Sequence, residues 1–398
     1  MTTSRPTNGS RTEANFTDDR PKTAKGRLDL VLGGLGVALL TAAVIAQPTS
    51  ARSAASQDWP PFVLVTGLLL IGLVANRDGL FAAAGYRLSR LCGSGAALFA
   101  GAVVMVGVVT AVLNLDTSVA FLTPVLVYTA RSRGGGEVPL LYGCLLWSNA
   151  GSLFLPGSNL TNLIVLGHLH LTGASFFSRM WAPALAALLV TAVVVAVLER
   201  RALALGPGEP GEAPHPSFGL GLIAIVAATA LIVALSAPAL PVAAVGVAVV
   251  GIRLGTGKQS WREVAEVLGM PVLIGLFGVA VALGTLGRQW SGPAVLISHL
   301  GSWGTAAVAA ASSVLVNNLP AASLLAARRP VRPLSLLIGL DLGPNLFVTG
   351  SLAWLLWLRA ARSAGARPSI ATAARIGWVA VPLSMAAALG MLSLGSFR

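Results

Sequence analysis

The sequence predicts an all-α polytopic membrane protein with about 9–12 spans, built as two inverted-topology halves with re-entrant hairpins and broken helices. Three observations lead to this prediction. Of the 398 residues, 55% are hydrophobic and only 10% are charged, whereas soluble domains carry about 25% charged residues. Basic residues fall almost wholly between the apolar runs, as the positive-inside rule requires. Polar clusters also interrupt the apolar runs at matching places in the two halves.

Composition excludes several other classes of protein. The formal net charge is +13, but the basic residues lie between apolar runs rather than on one face, so no nucleic-acid partner is predicted. Cys92 and Cys144 are the only cysteines and lack CxxC spacing, which argues against a metal site or a disulfide framework. Because no P-loop, HExxH or G-x-S-x-G motif occurs, we expect neither an enzyme nor a cofactor.

Composition also divides the chain into four segments. Residues 1–27 are polar and basic and are expected to be a disordered cytoplasmic tail. Residues 28–198 form a first transmembrane half, and residues 218–398 form a second. Between them, residues 199–217 contain four prolines and three glycines, which is typical of a linker, here a cytoplasmic one. We expect the first apolar run, residues 28–46, to be a retained span and not a cleaved signal peptide.

The basic segments predict the orientation of a multi-pass protein in the plasma membrane with a cytoplasmic N-terminus. The segments expected on the cytoplasmic side are the tail, residues 77–90, Arg131 with Arg133, Arg200 with Arg201, residues 253–262 and residues 359–375.

This orientation requires re-entrant hairpins. Residues 77–90 and Arg133 can share a side only if residues 95–130 enter the membrane and return, with residues 114–118 at the tip. By the same count, residues 304–327 form a hairpin from the outside. That hairpin leaves the basic residues 328–332 on the outer face, so a full crossing is the alternative.

Polar residues break the apolar runs at residues 114–118, 149–162, 317–321 and 341–351. In hydrocarbon, non-helical backbone survives only where it is buried in protein or lines a wet cavity. A broken helix offers free N–H groups and a positive dipole end to a polar solute, and its free carbonyl groups can hold a cation. The four breaks are therefore predicted to build a binding site.

The breaks recur in the same order in both halves. Residues 114–116 align with residues 318–320, and residues 152–158 align with residues 345–351. Each half thus has a tip that begins with Asn, followed by a span broken by Gly, Ser or Pro. With the orientation, this order indicates an inverted repeat, which many secondary transporters have.

The polar side chains at the breaks are the candidate site residues. Among the fourteen acidic residues, Asp116 and Asp341 are the only two inside apolar runs, and they are predicted to couple transport to protons. A helix cap is the alternative role, above all for Asp341 if a half-helix begins near Leu342. The predicted substrate-binding residues carry amide or hydroxyl groups: Asn114, Thr117, Asn149, Ser152, Asn159, Asn317, Asn318, Asn345, Thr349 and Ser351.

At these residues the sequence resembles the arsenical pump membrane proteins, the arsenite efflux permeases of the ion-transporter superfamily. The likeness rests on residues 114–124, 149–162, 316–321, 341–345 and 349–352. It implies that arsenite or antimonite, as a neutral trihydroxide, is exported in exchange for protons, with an optional soluble ATPase partner. A neutral substrate suits amide and hydroxyl groups and does not need the Arg pair that a carboxylate would require.

Three alternatives stay open. Dicarboxylate carriers of the same superfamily carry Ser-Asn-Thr tips, whereas residues 114–117 read Asn-Leu-Asp-Thr and residues 317–320 read Asn-Asn-Leu-Pro, which disfavours a citrate-like substrate. A sodium/proton antiporter would use the same two aspartates. An ion channel, which is another class of protein, would also use broken helices.

Overall fold

The structure, a computed structural model, describes residues 22–167, 169, 171–203 and 219–395. Within those residues the regular elements are all helical. The first half contains α1 (Lys22–Ala46), α2 (Pro48–Arg77), α3 (Leu80–Leu91), α4 (Gly95–Val112), α5 (Leu115–Ser132), α6 (Val138–Gly151), α7 (Leu160–Leu166) and α8 (Gly173–Leu198). Most of the predicted tail and residues 204–217 of the predicted linker lie outside the described residues.

The second half begins with α9 (Leu220–Ala234), α10 (Ala239–Gly255), α11 (Trp261–Leu268), α12 (Met270–Gln289) and α13 (Gly292–His299). It continues with α14 (Ser302–Val316), α15 (Asn318–Leu325), α16 (Pro333–Leu342), α17 (Leu352–Ser363) and α18 (Ile370–Gly395). Short 3-10 turns lie at Pro156–Ser158, Arg200–Leu203 and Gly343–Leu346.

Six segments in the described part of the chain are long and apolar enough to cross a membrane: α1 from Asp29, α2, α4, α8, α11 with α12, and α18. Of these, α4 belongs to a hairpin. The broken spans α6/α7 and α16/α17 and the shorter apolar helices α9 and α10 provide further crossings. The described residues thus give a multi-pass helical bundle, as predicted.

Contacts between helix ends define one end of the bundle, which we call face 1. The Arg253 guanidinium pairs with Asp78 at the ends of α10 and α2. Arg131 Nη1 donates to the carbonyl oxygen of Ala364 over 2.8 Å, which joins the ends of α5 and α17. Arg375 at the start of α18 pairs with Glu199 after α8 over 3.2 Å. The basic segments at these helix ends therefore share one side, as predicted, and most of the predicted tail lies outside the described residues.

The opposite end, face 2, is defined by contacts of the α12 C-terminus. Gln289 Nε2 donates to Ser50 Oγ over 2.7 Å, and Arg288 Nη2 donates to the carbonyl oxygen of Ser53 over 3.3 Å. Arg328 Nη2, after the second predicted hairpin, donates to the carbonyl oxygen of Arg288 over 3.0 Å. The start of α2 and the residues after α15 therefore lie on the same face.

Both predicted hairpins are present. Arg133 Nη2, after α5, donates to the carbonyl oxygen of Cys92, before α4, over 3.1 Å, so α4 and α5 enter and leave at face 1. Arg332 Nη1 donates to the carbonyl oxygen of Leu300 over 2.7 Å, so α14 and α15 enter and leave at face 2. Residues 304–327 are thus a hairpin and not a full crossing, and residues 328–332 lie on face 2.

The two halves are related by an inverted repeat. Helices α2 and α12 each precede a hairpin, and they run antiparallel, because Ser53 lies at Arg288 and the rings of Phe62 and Phe277 meet at 5.3 Å. Helix α1 of the first half packs against α12 of the second, and its equivalent α10 packs against α2 of the first. Within the halves, α4 packs against α6, and the equivalent α14 packs against α16. This exchange of equivalent partners is what a pseudo-twofold axis produces.

The register of the repeat differs by one residue from the sequence alignment. Asn114 caps α5 and Asn317 caps α15, so Asn114 corresponds to Asn317 and not to Asn318. In the broken spans, Asn159 caps α7 and Ser351 is the N-cap residue of α17. The predicted alignment was therefore wrong by one position in each pair, because hydrophobic matching does not identify which Asn or Ser is the N-cap at the start of a helix.

Two element boundaries also differ from the predicted apolar runs. Helix α2 begins at Pro48 and includes the largely polar residues 49–59. Side chains of α12 at face 2 donate hydrogen bonds to the hydroxyl of Ser50 and to the carbonyl oxygen of Ser53, which stabilises this segment. Asp58 is consequently a third buried acidic residue inside a span, 1% exposed. It was not predicted from the sequence because Asp58 precedes the apolar run that begins at Pro60. Helix α6 continues through Gly151, so the first broken span opens at Ser152 and not at Asn149.

The Asp78–Arg253 pair is expected to stabilise the packing of α2 against α10. Asp78 Oδ2 also accepts from the backbone N–H of Gly221 over 2.8 Å, so its carboxylate joins α2, α9 and α10. Asp78→Asn leaves Arg253 without its counter-charge and should lower the unfolding free energy by up to roughly 3–5 kcal/mol. Thermal unfolding in detergent measures this loss. Glu266→Gln in the exposed Arg262–Glu266 pair is the control and should change little.

Candidate functional site

A small cavity lies where all four predicted breaks meet. Its polar lining comes from every break: Asp116, Asn159, Asn317, Asn318 and Ser351. Its apolar wall includes Phe62 of α2 and Leu273 and Leu276 of α12. The volume is about 20 Å³, which is room for about one water molecule.

Asp116 lies in the first turn of α5, at the tip of the first hairpin. Asn114 Oδ1 caps this helix by accepting from the backbone N–H of Thr117 over 2.6 Å. The carboxyl group of Asp116 is 6% exposed and lines the cavity, and no side chain of the described residues is its hydrogen-bond or charge partner. It is thus the one titratable group among the described residues of the cavity lining, and it is available to bind a cation or a proton.

The tip of the second hairpin is fastened to the break between α16 and α17. Asn317 has φ +77°, a left-handed conformation that Asn tolerates better than most residues. Its Nδ2 donates to the carbonyl oxygen of Thr349 over 3.2 Å, and the backbone N–H of Asn318 donates to Gly350 over 2.8 Å. Thr349 Oγ1 donates to Val314 over 2.5 Å. These bonds satisfy backbone groups that neither broken helix can satisfy by itself.

Asp341 lies at a different junction, between α16 and the break of α6/α7. Its carboxylate accepts from Thr161 Oγ1 over 2.5 Å, from Asn159 Nδ2 over 3.0 Å and from Ser152 Oγ over 3.1 Å. It is fully buried. The alternative that Asp341 caps a half-helix was wrong, because α16 continues to Leu342 and α17 begins only at Leu352.

Asn149 and Asn345 join the two broken spans directly. Asn149 Nδ2 donates to Asn345 Oδ1 over 2.8 Å, and Asn345 Nδ2 donates to the carbonyl oxygen of Leu146 over 3.2 Å. Nearby, Asn162 Nδ2 donates to the carbonyl oxygens of Ser152 and Leu155 over 2.7 and 3.2 Å. These amides therefore hold the breaks together, and they lie outside the cavity lining.

The predicted site residues thus separate into three groups. The cavity is lined by Asp116, Asn159, Asn317, Asn318 and Ser351. The buried junction contains Asn149, Ser152, Asp341 and Asn345, with Asn159 reaching both. The remaining residues have local roles, because Asn114 caps α5, Thr117 packs beside Gly72 of α2, and Thr349 is exposed.

Several buried polar atoms at these breaks have no hydrogen-bond partner among the described residues. They include Ser351 Oγ at the cavity and Asn149 Oδ1 and Asn162 Oδ1 behind it. Such groups are costly in a membrane interior unless another molecule completes their bonding.

The sequence did not indicate the apolar wall residues Phe62, Leu273 and Leu276 of the cavity, because they look like any other core residues.

Comparisons with known proteins agree with this architecture. A family profile described as a citrate transporter matches residues 24–330. The arsenical pump membrane proteins of Escherichia coli (strain K12) and Shigella flexneri are each 26% identical over 339 residues, 75% of this chain and 78% of theirs. The crystal structure of the Alcanivorax borkumensis YdaH transporter is similar over 92% of this chain and 97% of its own, with a TM-score of 0.53 and 14% identity. A membrane transporter therefore has the same fold.

The contrast between the two aspartates predicts different effects on stability. Asp341→Asn replaces an acceptor of three hydrogen bonds with a group that is itself a donor, so it should lower the unfolding free energy by roughly 1–3 kcal/mol. Asp116→Asn removes no side-chain hydrogen bond and should leave stability unchanged or higher. Thermal unfolding of the two variants checks this. Equal losses in both would contradict the assignment of Asp341 to the junction.

Proposed function

We propose that this chain, which belongs to the citrate transporter family, is a secondary active transporter. In this proposal it exports arsenite or antimonite in exchange for protons. As a family member and a multi-pass helical protein, it moves a small molecule across a lipid bilayer. We place it in the plasma membrane with face 1 in the cytoplasm, because the described basic segments lie there and Asp29 of α1 pairs with Arg359 of α17.

The composition of the cavity carries this proposal. Among its described lining residues, Asp116 is the one titratable group, and the other polar groups are amides and a hydroxyl. A citrate-like carboxylate would leave several negative charges without a Lys, Arg or His partner in that lining. A neutral trihydroxide needs only donors and acceptors, which Asn159, Asn318 and Ser351 supply. The resemblance to the arsenical pump membrane proteins supports the same substrate.

Exchange with protons follows if proton and substrate compete for one site. An ionised Asp116 accepts hydrogen bonds from the hydroxyl groups of the substrate, whereas protonation removes its charge and favours release. Because a cavity of about 20 Å³ cannot hold a trihydroxide, the hairpin tips must separate from Phe62, Leu273 and Leu276 to admit it. The tips move with the broken spans to which they are bonded, while α2 and α12 form the fixed wall.

A sodium/proton antiporter is the second candidate. Asp116 in the cavity and, separately, the carboxylate of Asp341 at the buried junction are groups that could each bind a small cation. A citrate-like carrier and an ion channel are less well supported. The proposed transport needs no ATPase, and a soluble ATPase partner is an optional addition.

Uptake into everted vesicles compares the candidate substrates directly. Energised vesicles from cells that express the protein should accumulate arsenite and antimonite, but not citrate, when their interior is acidic. Accumulation of sodium alone would favour the antiporter. Flux that never exceeds the concentration gradient would identify a channel.

The role of Asp116 is tested by Asp116→Asn, which mimics a permanently protonated carboxyl group. This variant should insert normally but lose accumulation of arsenite driven by the proton gradient. The matched control is Glu266→Gln, an exposed acid on α11 outside the site. Unchanged accumulation by Asp116→Asn would refute the coupling role.

A further inference from the structure

The third buried acid inside a span lies away from the cavity, on the face 2 side of α2. Asp58 is 1% exposed. Its Oδ2 is buried without a hydrogen-bond partner, and no ion pair within 4 Å involves Asp58 in the described part of the chain. An ionised carboxylate in this state is costly, whereas a protonated one is not charged.

The nearest basic group does not neutralise Asp58 by pairing with it. Arg288 of α12 is the charged side chain that acts on Asp58. Its guanidinium nitrogens, however, donate to the carbonyl oxygens of Gly284 and Ser53 over 2.9 and 3.3 Å and to Gln57 Oε1 over 2.6 Å. Arg288 is therefore already bonded to other groups, and Oδ2 of Asp58 is left without a hydrogen-bond partner.

Asp58 also lies at the boundary between the fixed wall and the second hairpin. Ser323 of α15 is a polar neighbour of Asp58, and its Oγ donates to the carbonyl oxygen of Leu319 over 3.4 Å. The adjacent Gln57 donates from Nε2 to the carbonyl oxygens of Ile164, in α7, and Ala326, after α15, both over 3.1 Å. Neither α7 nor α15 carries a titratable side chain, so among the described residues of α7, α12 and α15 Arg288 is the one charged side chain.

We propose that Asp58 is a second proton-binding group, whose protonation state controls the contact between α2 and the second hairpin. With the hairpin packed on α2, the open Oδ2 is enclosed and the neutral form is favoured. When the hairpin moves away, water reaches the carboxyl group, which takes up a proton from the solvent at face 2, the side from which protons enter in the proposed exchange. The proton is bound and released at Oδ2 without any other bond changing. The inference rests on the proposed exchange of substrate for protons, to which it adds a second site.

The ratio of protons to arsenite in proteoliposomes tests this inference. If Asp116 and Asp58 each carry one proton, Asp58→Asn should lower the ratio to about half. Asp58→Glu keeps the titratable group and should keep the wild-type ratio. A wild-type ratio in Asp58→Asn would overturn the inference. Absence of coupled arsenite flux in the wild type would instead refute the proposed function.

A second measurement needs no substrate and separates the two failures. Infrared difference spectra of the purified protein between low and high pH should contain a protonated-carboxyl band that is missing in Asp58→Asn. Ser323→Ala retains the carboxyl group and should shift the pH at which this band disappears. If Asp58→Asn does not fold, Ser323→Ala alone is decisive. An unshifted band in that variant, or identical spectra in the wild type and Asp58→Asn, would overturn the inference.

Discussion

The fold depends on one constraint, which is that every backbone group freed by a broken helix must find a partner inside the protein. The breaks meet this constraint by bonding to one another. The N–H of Asn318 bonds to Gly350, Asn162 bonds to two carbonyl oxygens of its own break, and Asn345 bonds to Leu146 across the repeat. A site for a polar solute therefore comes with a network that is already largely satisfied.

This network changes how the polar residues are interpreted. Most of the amides that looked like substrate ligands join protein groups, as Asn149 joins Asn345. Few polar groups at the cavity are left without a hydrogen-bond partner in the protein. Asp116 has no partner at the cavity, and Ser351 Oγ has none either. A bound solute gains most from such unsatisfied groups, because no existing bond has to be broken.

The sequence predicted the features that follow from hydrophobicity and charge. The hairpin formed by α4 and α5, the presence of both broken spans and the described basic segments on face 1 were predicted correctly. It could not predict that the polar residues 49–59 continue α2, because their partners Arg288 and Gln289 lie over 200 residues away. For the same reason Asp58 was missed, and Asp341 could not be separated from Asp116. Those distinctions depend on tertiary contacts that leave no local pattern.

The central claim is that one proton-binding group, Asp116, and the substrate share the cavity between the four breaks. Calorimetric titration of arsenite onto the purified protein at several pH values, in buffers of different ionisation enthalpy, tests this claim most directly. The account predicts weaker binding at lower pH and release of protons when arsenite binds. Binding that is independent of pH and releases no protons would contradict it.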